Sequence, residues 1–175
     1  INDQDIDESI IKNSEITFLE GYLWDEGEPK KAFDKAIKYS NKVAMSLSDL
    51  FCVERHKKHF LELAKNKLDI IFANEQEILF LIDGKSIEDV ISFSKHLKKD
   101  IIITRGEKGA MTINGNKVFE CQAKEGLSIR DLTGAGDLFA AGYLHGYINK
   151  LSKKECLEKG TELSSKVIQK IGARI

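Results

Sequence analysis

The chain has 175 residues, 42% of them hydrophobic and 31% charged, which suits a folded domain with a core and excludes a fibrous or disordered chain. A net charge of −1 lacks the basic surplus of a nucleic-acid binder, so no nucleic-acid partner is expected. No apolar run reaches the roughly 20 residues of a membrane span and no signal peptide opens the sequence, so no membrane contact and a cytoplasmic location are expected. Cys52, Cys121 and Cys156 are odd in number and widely spaced, which fits buried, inert thiols in a reducing compartment better than disulfides. The start at Ile1, followed by an acidic segment, reads as a cut into a longer protein.

In chain order, Asp3, Asp5 and Asp7 imitate the start of a calcium loop. Glu8 stands where such a loop needs glycine and Ser14 where it needs glutamate, so a solvated loop is expected. Residues 16–23 form a short β-prone run, and Pro29 is placed to open a helix over 30–41 with Phe33, Ala36, Ile37 and Ser40 on one face. A strand at 43–47 and a loop at 48–52 precede a charged helix over 54–66, whose inward face is Phe60, Leu63 and Ala64. Residues 69–73 are continuously apolar, the mark of a parallel strand buried on both faces. A short helical segment through Ile78 and Leu81, a helix at 86–98 and a strand at 100–104 repeat the alternation. Asn114-Gly115 between 110–114 and 117–122 signals a hairpin, and helices at 136–150 and 152–171 close the chain. Strands alternating with helices predict an α/β fold: a doubly wound, mostly parallel sheet with helices on both faces, in a single domain.

Ligands of open α/β sheets bind beyond the carboxyl ends of the strands, so polar residues there are the candidates. Asn74 and Glu77 follow one strand at a spacing of three. They could hold waters of a hydrated magnesium ion, or cap the next helix as an Asn with a Glu three residues on. Thr104, Gly106 and Gly109 follow the next strand, where bare backbone lets a ligand approach, although a hairpin turn uses similar residues. The third place is DLTGAGD, 131–137. Gly134, Ala135 and Gly136 leave N–H groups free to turn toward an anion at a helix start, and Asp137 in the first turn is favoured as a carboxylate by the helix dipole. It is not a Walker loop, since no Lys and Ser or Thr follow the glycines, and its glycine spacing is not that of a dinucleotide fingerprint. His56 and His59 share a helix, but no Cys or carboxylate at tetrahedral-site spacing clearly joins them, so exposed histidines are expected. Ala140, Ala141, Gly142 and Gly146 predict close packing of the helix that carries them.

DLTGAGD running into LFAAGYLHG resembles the carboxy-terminal signature of the ribokinase-like (PfkB) family of carbohydrate and nucleoside kinases. NEQE and TRGEKG match two further motifs of that family, in the same order. LEGYLWD, SLSDLFCVERH and IIFANEQE look most similar to an adenosine-kinase-like branch from alphaproteobacteria. The resemblance implies a ribokinase-like fold, here its carboxy-terminal part, truncated at the amino-terminal side. It implies an ATP-dependent kinase using Mg2+, with a nucleoside as substrate or alternatively a sugar of the ribose or fructose type. Asp137 would be the general base, with Gly134, Ala135 and Gly136 as the anion hole. Asn74 and Glu77 would organise magnesium and phosphates, Glu77 through water. Thr104, Gly106 and Gly109 would line the nucleotide site, with Thr161 near the base. Asp131 and the Thr133 carbonyl match positions that bind a monovalent cation such as K+ in relatives, although Leu132 replaces the usual Thr. Family members are about twice this length, and the lid and the residues that grip the substrate belong to the half that is not here. The isolated chain is therefore expected to be inactive, and the resemblance allows a homodimer for the full-length protein.

Overall fold

The computed structural model describes residues 1–25 and 27–175. Six strands form a mostly parallel sheet in chain order: β1 (Thr17–Glu20), β2 (Val43–Ser46), β3 (Ile70–Asn74), β4 (Asp100–Thr104), β5 (Ala110–Asn114) and β6 (Lys117–Cys121). The helices are α1 (Glu8–Lys12), α2 (Pro29–Tyr39), α3 (Leu50–Asn66), α4 (Glu75–Ile82), α5 (Ile87–Lys95), α6 (Ala135–Ile148) and α7 (Lys153–Val167). The alternation matches the expected ribokinase-like α/β fold. The chain divides into two compact units, Ile1–Ile101 with Ile113–Asn116, and Ile102–Thr112 with Lys117–Ile175.

In the first unit, β1, β2 and β3 pair in parallel, with Thr17 opposite Val43 and Ala44 opposite Ile70. Ile70, Ile71, Phe72 and Ala73 are all buried, which is why β3 reads as an unbroken apolar run. Phe60, Leu63 and Ala64 of α3 are buried as expected, as are Phe33 and Ala36 of α2.

Three local expectations fail for identifiable reasons. Residues 3–12 are not a loop: Asp7 accepts hydrogen bonds from the N–H groups of Ser9 and Ile10, which makes it the cap of α1 rather than a mimic of a calcium ligand. β1 stops at Glu20, because Gly21–Trp24 winds into a 3-10 turn that buries Trp24 against Phe33 and Phe60. α3 begins at Leu50, four residues early, because Asp49 accepts a 2.6 Å bond from the Cys52 N–H and caps the helix.

In the second unit, α6 and α7 pack closely. A Cβ on Gly142 would lie 2.5 Å from the Lys159 carbonyl oxygen and one on Gly146 3.1 Å from Cys156 Sγ, so these two glycines serve helix contact as expected, whereas Ala141 is exposed. Tyr143 is fully buried and its hydroxyl accepts from Thr112 at 3.2 Å. Cys52, Cys121 and Cys156 are all buried, as expected from the sequence. No helix among the described residues is long and apolar enough to cross a membrane.

Candidate active site

Asn74 and Glu77 sit in the first unit as a closed pair. Glu77 donates its N–H to Asn74 Oδ1 (2.8 Å), Asn74 N–H donates to Glu77 Oε2 (2.9 Å), and Asn74 Nδ2 donates to Glu77 Oε1 (2.6 Å). This is a capping box at the start of α4, one of the two readings the spacing allows. Each carboxylate oxygen keeps a lone pair, so the donor set also fits a hydrated magnesium ion that wants few direct protein ligands. Glu77 is only 4% exposed, and burial pushes its pKa above the ordinary value, with Asp49 and Glu20 adding to the rise against the bonds from Asn74. A raised folded-state pKa means that Glu77 favours the fold fully below the unfolded value and loses that contribution as pH rises through the folded one. A 13C titration of the Glu77 carboxyl group should therefore show a midpoint above the ordinary glutamate value; a midpoint below it would mean that the Asn74 bonds outweigh burial.

The second unit contains a cleft of about 710 Å³, within the range of roughly 300–1,000 Å³ usual for small-molecule pockets. Thr104, Gly106, Gly109, Ala135, Gly136 and Thr161 all line it. Residues separated by up to 57 positions in sequence, from two of the three motifs and the last helix, thus line one cleft. The loop Gln122 to Leu127, with Ile129, Leu132 and Phe139, completes the lining and escaped the sequence reading. Its signal was weak: a lone Gly126, which adopts φ +70°, in a polar stretch after β6. Thr161 is buried, its hydroxyl 3.1 Å from the Cys121 thiol, which fixes the side chain on the α7 side of the cleft.

The helix start is built as its composition suggests. Gly134 is the N-cap of α6 with φ +78°, a conformation that favours glycine. A Cβ there would also lie 2.8 Å from the Ala173 Cβ, so no larger residue fits. Ala135 commits its N–H to the Leu132 carbonyl at 3.1 Å, so of the three expected anion-hole residues this one already has an acceptor. The N–H groups of Gly136 and Asp137 lie in the first helical turn, where a helix supplies no acceptor of its own. A Cβ on Gly136 would meet nothing within 4 Å, which leaves that side of the turn open to a ligand. Asp137 follows at the third helical position with an exposed side chain.

Asp131 serves as a tether. Its Oδ1 accepts from the Thr133 N–H (2.9 Å) and hydroxyl (2.7 Å), and its Oδ2 accepts from the Gly172 N–H (2.8 Å). The Thr133 hydroxyl bond, then the two backbone bonds, lower its pKa, so its contribution exists above the ordinary carboxylate value and is lost as pH falls through the lowered one. Both carboxylate oxygens of Asp131, expected to face a monovalent cation together with the Thr133 carbonyl, thus already accept protein hydrogen bonds.

His56 and His59 both lie near the Trp24 ring but differ in exposure. His59 is exposed, whereas His56 is partly covered and its Nε2 lies 2.6 Å from Asp25 Oδ1. Asp25 and Cys52 do join His56, contrary to the reading from the sequence. The missed signal was Cys52 four residues before His56, on the same helical face.

The fold belongs to the ribokinase-like class of α/β proteins. An adenosine kinase from Sinorhizobium meliloti superposes with a TM-score of 0.96 at 34% identity, over 100% of this chain and 55% of that one. A probable sugar kinase protein from Rhizobium etli gives a TM-score of 0.93 at 33% identity, over 99% of this chain and 54% of that one. Residues 1–175 match the pfkB family carbohydrate kinase pattern, and the chain belongs to that family. A cytidine kinase from Thermococcus kodakarensis is 31% identical over 118 residues, which cover 66% of this chain and 42% of the relative. The chain thus spans about half the length of these structures and less than half of that relative.

Proposed function

We propose that the complete protein transfers the γ-phosphoryl group of ATP to a hydroxymethyl group of a nucleoside. The observation that carries this reading is the cleft, where Thr104, Gly106, Gly109, Ala135, Gly136 and Thr161 come together beside the first turn of α6. Its volume suits a nucleotide, and the N–H groups of Gly136 and Asp137 suit the anionic end of one. When bound, MgATP supplies the phosphoryl group and the metal charge that offsets its oxygens. Asp137 accepts the proton of the attacking hydroxyl. Glu77 holds magnesium through water, with Asn74 fixing its carboxylate. In phosphoryl transfer the hydroxyl loses its proton late, so an exposed carboxylate suffices if it is well placed.

The nucleoside is favoured over a sugar by the similarity of all of this chain to part of an adenosine kinase and by the cytidine kinase relative. A sugar acceptor is the second reading, supported by the nearly equal likeness to a probable sugar kinase. The test is ATP-dependent phosphorylation of adenosine, cytidine, ribose and fructose by the complete protein, compared by kcat/KM. Preference for either nucleoside is expected. Preference for a sugar would overturn the nucleoside assignment, while heat from MgATP binding without transfer to any of the four would leave a nucleotide-binding protein.

A further inference from the structure

Asp25, Cys52 and His56 lie in the first unit, outside every residue assigned to phosphoryl transfer. One ligand atom from each, a carboxylate oxygen, a thiol sulfur and an imidazole nitrogen, falls within 4.8 Å of the other two. Cys52 is fully buried, His56 is partly covered and Asp25 opens to solvent, so the group has a closed back and an accessible front. Cys52 and His56 are one helical turn apart on α3, and Asp25 arrives just after the 3-10 turn Gly21–Trp24.

We propose that these three side chains form a site for a divalent transition-metal ion with the preferences of zinc, tying the turn after β1 to α3. Thiolate, imidazole and carboxylate together select zinc-like ions over magnesium or calcium, which take oxygen ligands. Tetrahedral bonds of about 2.0–2.3 Å place neighbouring ligand atoms about 3.3–3.8 Å apart. The His56–Asp25 pair, at 2.6 Å, must therefore open by roughly 0.7 Å, while the sulfur, which lies within 4.8 Å of both, has at most about 1.3 Å to close. Exposed Asp25 can make that shift by rotating its carboxylate.

Two further features fit a metal site. Arg55 holds the same carboxylate, its Nη2 2.6 Å from Asp25 Oδ2 and its Nε 3.1 Å from Oδ1. Ligating carboxylates are commonly oriented by such outer hydrogen bonds, and Oδ2 can stay on Arg55 while Oδ1 turns to the ion. Second, α3 leaves helical geometry at His56 itself, with φ −116° and ψ 16°, although no proline or glycine lies in that helix. The bend falls at the residue whose imidazole reaches across to Asp25 and packs near Trp24 and Phe60. Three protein ligands leave one tetrahedral position for water.

The test uses tag-free protein stripped with a chelator and titrated with Co2+, then Zn2+. One equivalent of cobalt is expected, with a thiolate-to-cobalt charge-transfer band that zinc bleaches. Cys52→Ser should abolish the band, and Asp25→Asn and His56→Asn should each weaken zinc binding by about tenfold or more. Arg55→Gln should weaken it by about tenfold, whereas His59→Asn should leave binding unchanged. Asp25 is exposed, so its variant keeps the test sound if the buried Cys52→Ser fails to fold, as circular dichroism would show. Cobalt binding without the charge-transfer band, or zinc binding by D25N and H56N as tight as in the parent, would overturn the site.

Discussion

Asp137→Asn in the complete protein should lower kcat by about 100-fold or more while leaving the affinity for MgATP within a few-fold, since a positioned general base contributes about 100- to 10,000-fold. The split between kcat and binding is the informative part. Asp137 stands at the third position of α6, where Asn keeps the size of the side chain and gives up only about 0.3–1 kcal/mol of interaction with the helix dipole, so the substitution leaves the backbone N–H groups at 136 and 137 in place. Removing a negative charge beside the phosphates cannot weaken ATP binding by repulsion; it relieves it. Steady-state rates with adenosine, paired with calorimetry for MgATP, read both quantities. A kcat within a few-fold of the parent would remove Asp137 from the proton transfer, and a matched loss of ATP affinity would make it a binding residue instead.

The second large effect is expected at Gly109. Its backbone sits at φ +82° and ψ −140°, a region open in practice only to glycine. A Cβ there would run into the Cys121 carbonyl oxygen and lie 2.8 Å from the Ala123 nitrogen, both of them backbone atoms that cannot rotate away. Backbone strain of about 1–3 kcal/mol and overpacking of about 1–3 kcal/mol give Gly109→Ala a loss of about 4 kcal/mol. For a chain of this size that lowers Tm by about 8–16 °C, readable by calorimetry or circular dichroism. Gly106 is the control, since it has φ +57° but a Cβ there would meet nothing within 4 Å. Gly106→Ala should cost only about 1–2 kcal/mol. Equal effects at the two positions would show that the contact with Cys121 and Ala123 is not what constrains the turn.

The parts of the fold that could be read from sequence are those set by local chemistry. β3 and β4 announce themselves because four consecutive residues in each are buried, and the hairpin because Asn114-Gly115 fits a tight turn. What escaped depends on contacts made at a distance. Asp49, read as a loop residue, is the local exception, since its carboxylate caps α3 through the Cys52 N–H only three residues on. The 3-10 turn after β1 forms because Trp24 finds Phe33 and Phe60, which lie 9 and 36 positions away.

The candidate site divides in the same way. Glycines and a first-turn acid are legible because their conformational demands are their own, and Asn74 with Glu77 because three residues of separation fit a helix start. The loop from Gln122 to Leu127 was invisible, since its place in the cleft follows from the route the chain takes out of β6 rather than from any residue in it. Asp25 illustrates the same limit: Cys52 and His56 could be paired by helical spacing, but their third partner comes from a turn 27 residues earlier.

The meeting of Gly134 with Ala173 carries a genetic consequence. Because a Cβ on one would occupy the space of the other, and the Asp131 carboxylate pins the neighbouring Gly172, two stretches some 40 positions apart form one unit of selection. A library randomised at both positions and screened for a working enzyme should return small residues at each. A bulky residue at position 173 should be as rare among survivors as one at 134, even though nothing in the motif itself marks that distant alanine.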